Sequence, residues 1–359
     1  MIRDLSDVKK VDFKLVDRHE SSAPAYDYTT LNAISECPTW GIVRYVLGLS
    51  MEESSRAMAL EAGEALHDVF AAIRLADLYD ESNEDRELLT RHTLRLFGST
   101  VDRPMRMLSY FFSDEDKRTR VLNYALEALA TSGFVDDDRD SKRTMTHLEE
   151  CAIAYYDRWS MHRGQHSRIW RDNERDLIGI EMPFSMEVSF EGKDGTIIKL
   201  QFIGRMDGLH VNKEGHIVVH ENKTAARLDD AWMAGMRMSH QVTGYTLAAS
   251  LLTQLPCETA YIHGLSIPLP RNYDFGGVVR EKVSRSDMSV KTWLNWLIHV
   301  NNLIEQYKSN VVNAPRYTRA CNRYFRPCPF LALCDTQNEG QFYSVMRDMV
   351  HNPWSPLDG

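Results

Sequence analysis

Between residues 178 and 224 the hydrophobic period of the chain changes, and this bounds the fold more than any other feature. Ile178–Phe190, Thr196–Val211 and His216–Thr224 read as three successive strands. Gly192 to Gly195 and Asn212 to Gly215 supply the turn chemistry between them. Upstream the pattern is helical. Residues 56–79 place Ala59, Leu66, Val69, Phe70, Ile73 and Leu75 on a buried stripe, and residues 84–170 continue mostly helical and polar. Downstream, 229–254 reads as a helix, Cys257–Leu269 as a strand and 287–308 as a helix. Such a mixture predicts an α/β fold: a central mixed sheet flanked by helices.

Two further expectations concern the N-terminal part. Residues 1–27 carry little periodicity and read as a partly ordered arm, and Ala33–Leu49 reads as one helix with Cys37-Pro38 near its start. The charged N-terminus has no apolar core of a signal peptide, and no stretch approaches a membrane span. A cytoplasmic setting, free of membrane, follows as the expectation. There, cysteines are more often thiols or metal ligands than disulfides. The net charge of −9 argues against a protein that coats nucleic acid non-specifically, but not against an enzyme with a local basic track.

Asp207 is expected to end a strand running from Phe202. Glu221 and Lys223 are two apart on the next strand, so they project from one face, and Asp207 joins them from the neighbouring strand. Alone, Glu-x-Lys on a strand is often a solvated ion pair worth little. Here it follows Ile217-Val218-Val219, a run typical of a buried strand, where charges are expensive unless used. Hydrolysis of a phosphodiester needs carboxylates to hold a hard divalent cation and a cationic group beside the attacking water. Asp207 and Glu221 fit the first need, and Lys223 the second.

In their order these segments resemble the PD-(D/E)XK nuclease superfamily, in its RecB-type branch. The resemblance rests on Gly204 to Asp207, then Glu221 with Lys223, then Gln241 with Tyr245 on the following helix. It also takes in His67, which stands four residues after Gly63 on an upstream helix. It implies a metal-dependent deoxyribonuclease, with His67, Asp207 and Glu221 holding magnesium or manganese. Lys223 would orient water, and Gln241 and Tyr245 would position the substrate. Glu181 would be a supporting carboxylate outside the direct ligand set. The implied substrate is DNA, single-stranded or with free ends, cut as an exonuclease would. A recombination, helicase or CRISPR-type partner is implied with it. The alternative is a non-catalytic nucleic-acid-binding module of a larger complex.

Cys321, Cys328 and Cys334 cluster near the C-terminal end, and Cys37 stands alone near the other. The C-terminal spacings are not those of a standard zinc finger. Four thiolates can hold a 4Fe–4S cluster. The arrangement resembles that of iron–sulfur members of the branch, the AddB nuclease domain and CRISPR-associated RecB-like exonucleases. There one N-terminal cysteine joins three C-terminal ones; zinc is the alternative occupant. Nearby, Arg316, Arg319, Arg323 and Arg326 interleave with Tyr317, Tyr324 and Phe325, a composition suited either to single strands or to packing around the cluster. The expected organisation is therefore an arm (1–28), a helical part with the first cysteine (29–83) and a helical insertion (84–177). A nuclease core (178–310) and a cysteine-rich segment and tail (311–359) complete it.

Overall fold

The computed structural model describes residues 2–51, 58–82, 86–98, 102–138, 140–162, 167–269, 277–323 and 326–355. The architecture is α/β, with a large mixed sheet flanked by helices. Its contacts group into two compact units. One comprises Met1–Ser55, Pro183–Gly204 and Ser286–Gly359; the other comprises Arg56–Met182 and Arg205–Arg285.

In the first unit, strand β1 (Val8–Leu15) pairs antiparallel with residues 186–192. The expected arm is therefore sheet in part. Its alternation of charged and apolar residues suits a strand with one wet face, which a search for helical period passes over. Strand β2 (Ala25–Asp27) leads directly into helix α1 (Tyr28–Glu36), whose N-cap Asp27 accepts hydrogen bonds from the amides of Thr29 and Thr30. The single helix expected over 33–49 is interrupted. Cys37 is extended, with φ −161° and ψ 104°, because the following proline excludes its helical conformation. The chain restarts as α2 (Pro38–Gly41) and one π-helical turn, Ile42–Val46.

The second unit is built on helix α3 (Met58–Ser82). Around it lie α4 (Arg86–Phe97), α5 (Asp102–Phe111), α6 (Lys117–Ala130) and α7 (Met145–His162). The residues read as an insertion thus share one continuous apolar core with α3, including Phe70, Ile73, Met107, Tyr124, Leu129 and Leu148. Strand β3 (Ser167–Ile169) precedes two long strands, β4 (Ile180–Gly192) and β5 (Ile197–Asn212). Each of these two runs through a unit boundary. β5 pairs antiparallel with β6 (Ile217–Ala225), Gly208 opposite His220.

After β6 the chain crosses over through α8 (Asp230–Arg237) and α9 (His240–Thr253) to β7 (Thr259–Ser266), which is parallel to β6. Strand β8 (Val278–Ser284), not anticipated from the sequence, closes a hairpin with β7. The helix expected over 229–254 breaks at Met238-Ser239. The guanidinium of Arg285 donates to the carbonyls of Arg237 and Ser239, each at 2.9 Å, and so bridges the open carbonyl at the end of α8 and the N-cap of α9. In the first unit, α10 (Asp287–Tyr307) starts from a capping box at Ser286 and Ser289.

Candidate metal centre and cysteine group

Four elements of the second unit bring the charged residues together. Gly63 on α3 lies so close to β6 that a Cβ there would come within 3.1 Å of the Thr224 hydroxyl. One turn later His67 reaches Asp207, Nδ1 to Oδ1 at 3.3 Å. Asp207 does not end its strand: β5 continues to Asn212, so the carboxylate is held from mid-strand. Its other oxygen accepts the amide hydrogen of Asn222 at 2.6 Å. Across the ladder, Glu221 and Lys223 share a face as their spacing requires, Nζ to Oε1 at 2.7 Å.

The atoms that converge as metal donors come from His67, Glu181 and Asp207, all within 4.8 Å of one another. Glu181, expected in a supporting place, lies in this group with His67 and Asp207. The backbone of Glu181 has φ +47°, a left-handed conformation rare for a side-chain-bearing residue. Glu221 is 2% exposed and Asp207 4%. Glu181 Oε1 and Glu221 Oε2 are buried without a hydrogen-bond partner among the described residues. An imidazole and carboxylates with unused lone pairs suit a divalent cation, for which oxygen donors are the rule.

The electrostatics carry the same imprint. Burial and the Asp207 charge push the Glu181 carboxyl up to about 8, against His67, Arg74 and Arg205. The same two causes push Glu221 up to about 7, against Lys223 and His67. Burial also works to raise Asp207, but His67, Arg74 and Lys223 outweigh it and hold the group at about 2. Burial disfavours the His67 imidazolium, yet Asp207 and Glu181 raise it to about 9. Three carboxylates in so small a volume compete for the cations present.

Gln241 and Tyr245 occupy one face of α9, Nε2 donating to the phenol oxygen at 3.0 Å, and α9 packs on β6. Two features had weak signals in the sequence. Arg74 is wholly buried although it follows an apolar helical run, and His210, His220 and His263 form a buried layer of rings.

In the first unit, Cys37 is buried at the break between α1 and α2. The Cys328 amide donates to the Cys321 carbonyl at 2.8 Å, and short helix α11 (Leu331–Cys334) presents the last cysteine. Burial pushes the Cys334 thiol up to about 11; the Arg316 guanidinium opposes this, while Cys37, Cys328 and Cys321 add to it. Cys37, Cys328 and Cys321 are therefore each near enough to act on the Cys334 thiol. Arg316 donates to the Cys334 carbonyl at 3.2 Å, which engages it in packing. Tyr324 and Phe325 lie outside the described residues, as do the side chains of Arg323 and Arg326.

A family model of the PD-(D/E)XK nuclease superfamily matches residues 28–335, and the chain belongs to that superfamily. Membership brings with it metal-dependent cleavage of nucleic acid. Among solved structures, that of SSO0001 is similar at 17% identity, with 53% of this chain and 77% of that chain covered. Its TM-score is 0.29, too low to bear on the fold. A search of curated proteins finds no match. No helix among the described residues is long and apolar enough to cross a membrane.

Proposed function

We propose that this nuclease hydrolyses DNA phosphodiesters, as an exonuclease on single strands or free ends, using magnesium or manganese. The observation that carries this reading is the convergence of His67, Glu181 and Asp207 within 4.8 Å, next to the Glu221–Lys223 pair. His67, Asp207 and Glu221 hold the cation, with Glu181 beside them. When bound, the cation supplies Lewis acidity toward the phosphate and lowers the pKa of the attacking water. Lys223, partly open to solvent, sets its ammonium where it orients that water and offsets charge developing on the phosphate. Gln241 and Tyr245, coupled to each other, orient the strand being cut.

Cys37, Cys321, Cys328 and Cys334 hold a 4Fe–4S cluster on this reading, with zinc as the other occupant their donor set allows. The action of Cys37, Cys328 and Cys321 on the Cys334 thiol supports it. Its work is structural: it ties the α1–α2 break to the C-terminal segment within the first unit. A recombination, helicase or CRISPR-type complex is the setting in which such an enzyme would act. Visible charge-transfer absorbance with acid-labile sulfide in anaerobically purified protein identifies iron–sulfur; zinc without colour identifies the alternative.

The activity is tested on end-labelled single- and double-stranded DNA with manganese, wild type beside Lys223→Ala. The expected result is cleavage by wild type and a loss of roughly 100-fold or more in the variant, with circular dichroism unchanged. Equal cleavage by both would place the activity elsewhere.

A further inference from the structure

Helix α3 reaches strand β5 twice, and only the first contact belongs to the metal centre. His67 meets the Asp207 carboxylate. Seven residues on, and so on the same helix face, Arg74 meets the Asp207 backbone. Its guanidinium donates from Nη1 to the Asp207 carbonyl at 3.0 Å, and from Nη2 to Asn222 Oδ1 at 3.0 Å. Asn222 in turn donates its amide hydrogen to Asp207 Oδ2. A closed ring results: Arg74 to Asp207, Arg74 to Asn222, Asn222 to Asp207. Tyr155 on α7 braces it, its hydroxyl 3.4 Å from Nη2 and 3.1 Å from Asn222 Oδ1. The Phe70 ring packs on Tyr155 with centroids 4.1 Å apart.

Every member of the ring is buried, and Arg74 and Asn222 are 0% exposed. A buried guanidinium is costly, and its planar fork is suited to holding two acceptors in fixed relation. Asn222 lies between Glu221 and Lys223 on the strand, with its side chain on the other face. To fix Asn222 is therefore to fix the carboxylate and the ammonium on either side of it. Gly208 completes the fit, since a Cβ there would meet Arg74 Cζ and Nε at 3.3 Å.

We infer that Arg74 is a positioning residue for the metal centre: its fork, held by Tyr155, locks Asp207 and the Glu221–Lys223 pair into the relation that cation binding requires. This rests on the nuclease reading above and assigns Arg74 no contact with substrate.

The test is manganese affinity measured by calorimetry without nucleic acid, well below the unfolding temperature, together with cleavage rate as a function of manganese. Arg74→Lys keeps the charge and removes the fork. Its affinity is expected to fall on the order of 10-fold, with cleavage shifted to higher manganese, as for other residues that orient metal ligands. A merely structural arginine would lower the unfolding temperature and leave the affinity of the folded protein unchanged, and that result overturns the inference. Should Arg74→Lys not fold, Tyr155→Phe decides: weaker manganese binding upholds the inference, and wild-type affinity overturns it. Wild type that neither binds manganese nor cuts DNA would remove the nuclease reading and this inference together. Wild-type binding equalled by a folded Arg74→Lys removes this inference alone.

Discussion

Glu181 holds a costly geometry that gives no local return. A left-handed backbone on a side-chain-bearing residue costs on the order of 1–3 kcal/mol. Its buried Oε1 adds the penalty of an unsatisfied acceptor. Glycine at this position relieves the backbone and removes the carboxylate. Glu181→Gly is therefore expected to melt above Glu181→Gln while both lose manganese affinity. A melt of Glu181→Gly below Glu181→Gln would show that the backbone carries no strain. Glu221 and Lys223 are legible in the sequence because a strand repeats every two residues, so their shared face follows from counting, whereas the face of Asp207 depends on the register between two strands. Glu181 was only half legible. A single glutamate in a strand has no signature of its own, and its place beside His67 depends on where α3 lies. Arg74 was less legible still, since its partners are 81 to 148 positions away in the chain.

At the scale of elements, close approach decides what the helices can do. At Gly41 a Cβ would fall 2.5 Å from the backbone of Ile34, where neither atom can yield cheaply. Gly41→Ala is expected to lower the unfolding free energy by about 1–3 kcal/mol or more, read from urea denaturation. A stability equal to wild type would mean that α1 and α2 can separate without loss. The strand pattern from 178 to 224 is readable, and so is the order of helix then strand that leads to β7. Both helix breaks are not. Helical period runs through Cys37, although Pro38 after it forces that residue out of the helix. The break at Ser239 depends on Arg285, which lies more than forty residues away. β1 has little helical periodicity of its own, and its partner residues lie over 170 positions distant in the chain.

For the molecule as a whole, the buried histidine layer sets an acid limit. His220 Nδ1 and His263 Nε2 are 3.0 Å apart, and His210 stacks on His220 at 3.9 Å. Burial, with the mutual repulsion of the rings and the nearby Arg74 and Arg280, holds both His220 and His263 well below the ordinary imidazole range. The unfolded chain thus takes up protons that the folded one refuses. Their contribution is present above about pH 6.5, the unfolded value, and is lost as pH falls below it. The urea midpoint is expected to drop steadily below about pH 6.5, and to drop less in His220→Gln/His263→Gln. Identical slopes in both proteins would assign the acid limit to other groups.

Neither compact unit is a continuous stretch of chain, and this orders events on the ribosome. The unit that holds His67 and Asp207 is complete in sequence at Arg285, whereas the one begun at Met1 waits for residues 286–359. Cys37 and Cys321 are 284 positions apart (321 less 37). At usual elongation rates of ~5–20 residues per second, Cys37 waits roughly 15–60 s for its distant companions to be made. A group built from the four thiols, as proposed above, can be complete only once Cys334 has been made, so on that reading Cys37 stays a reduced thiol throughout that interval.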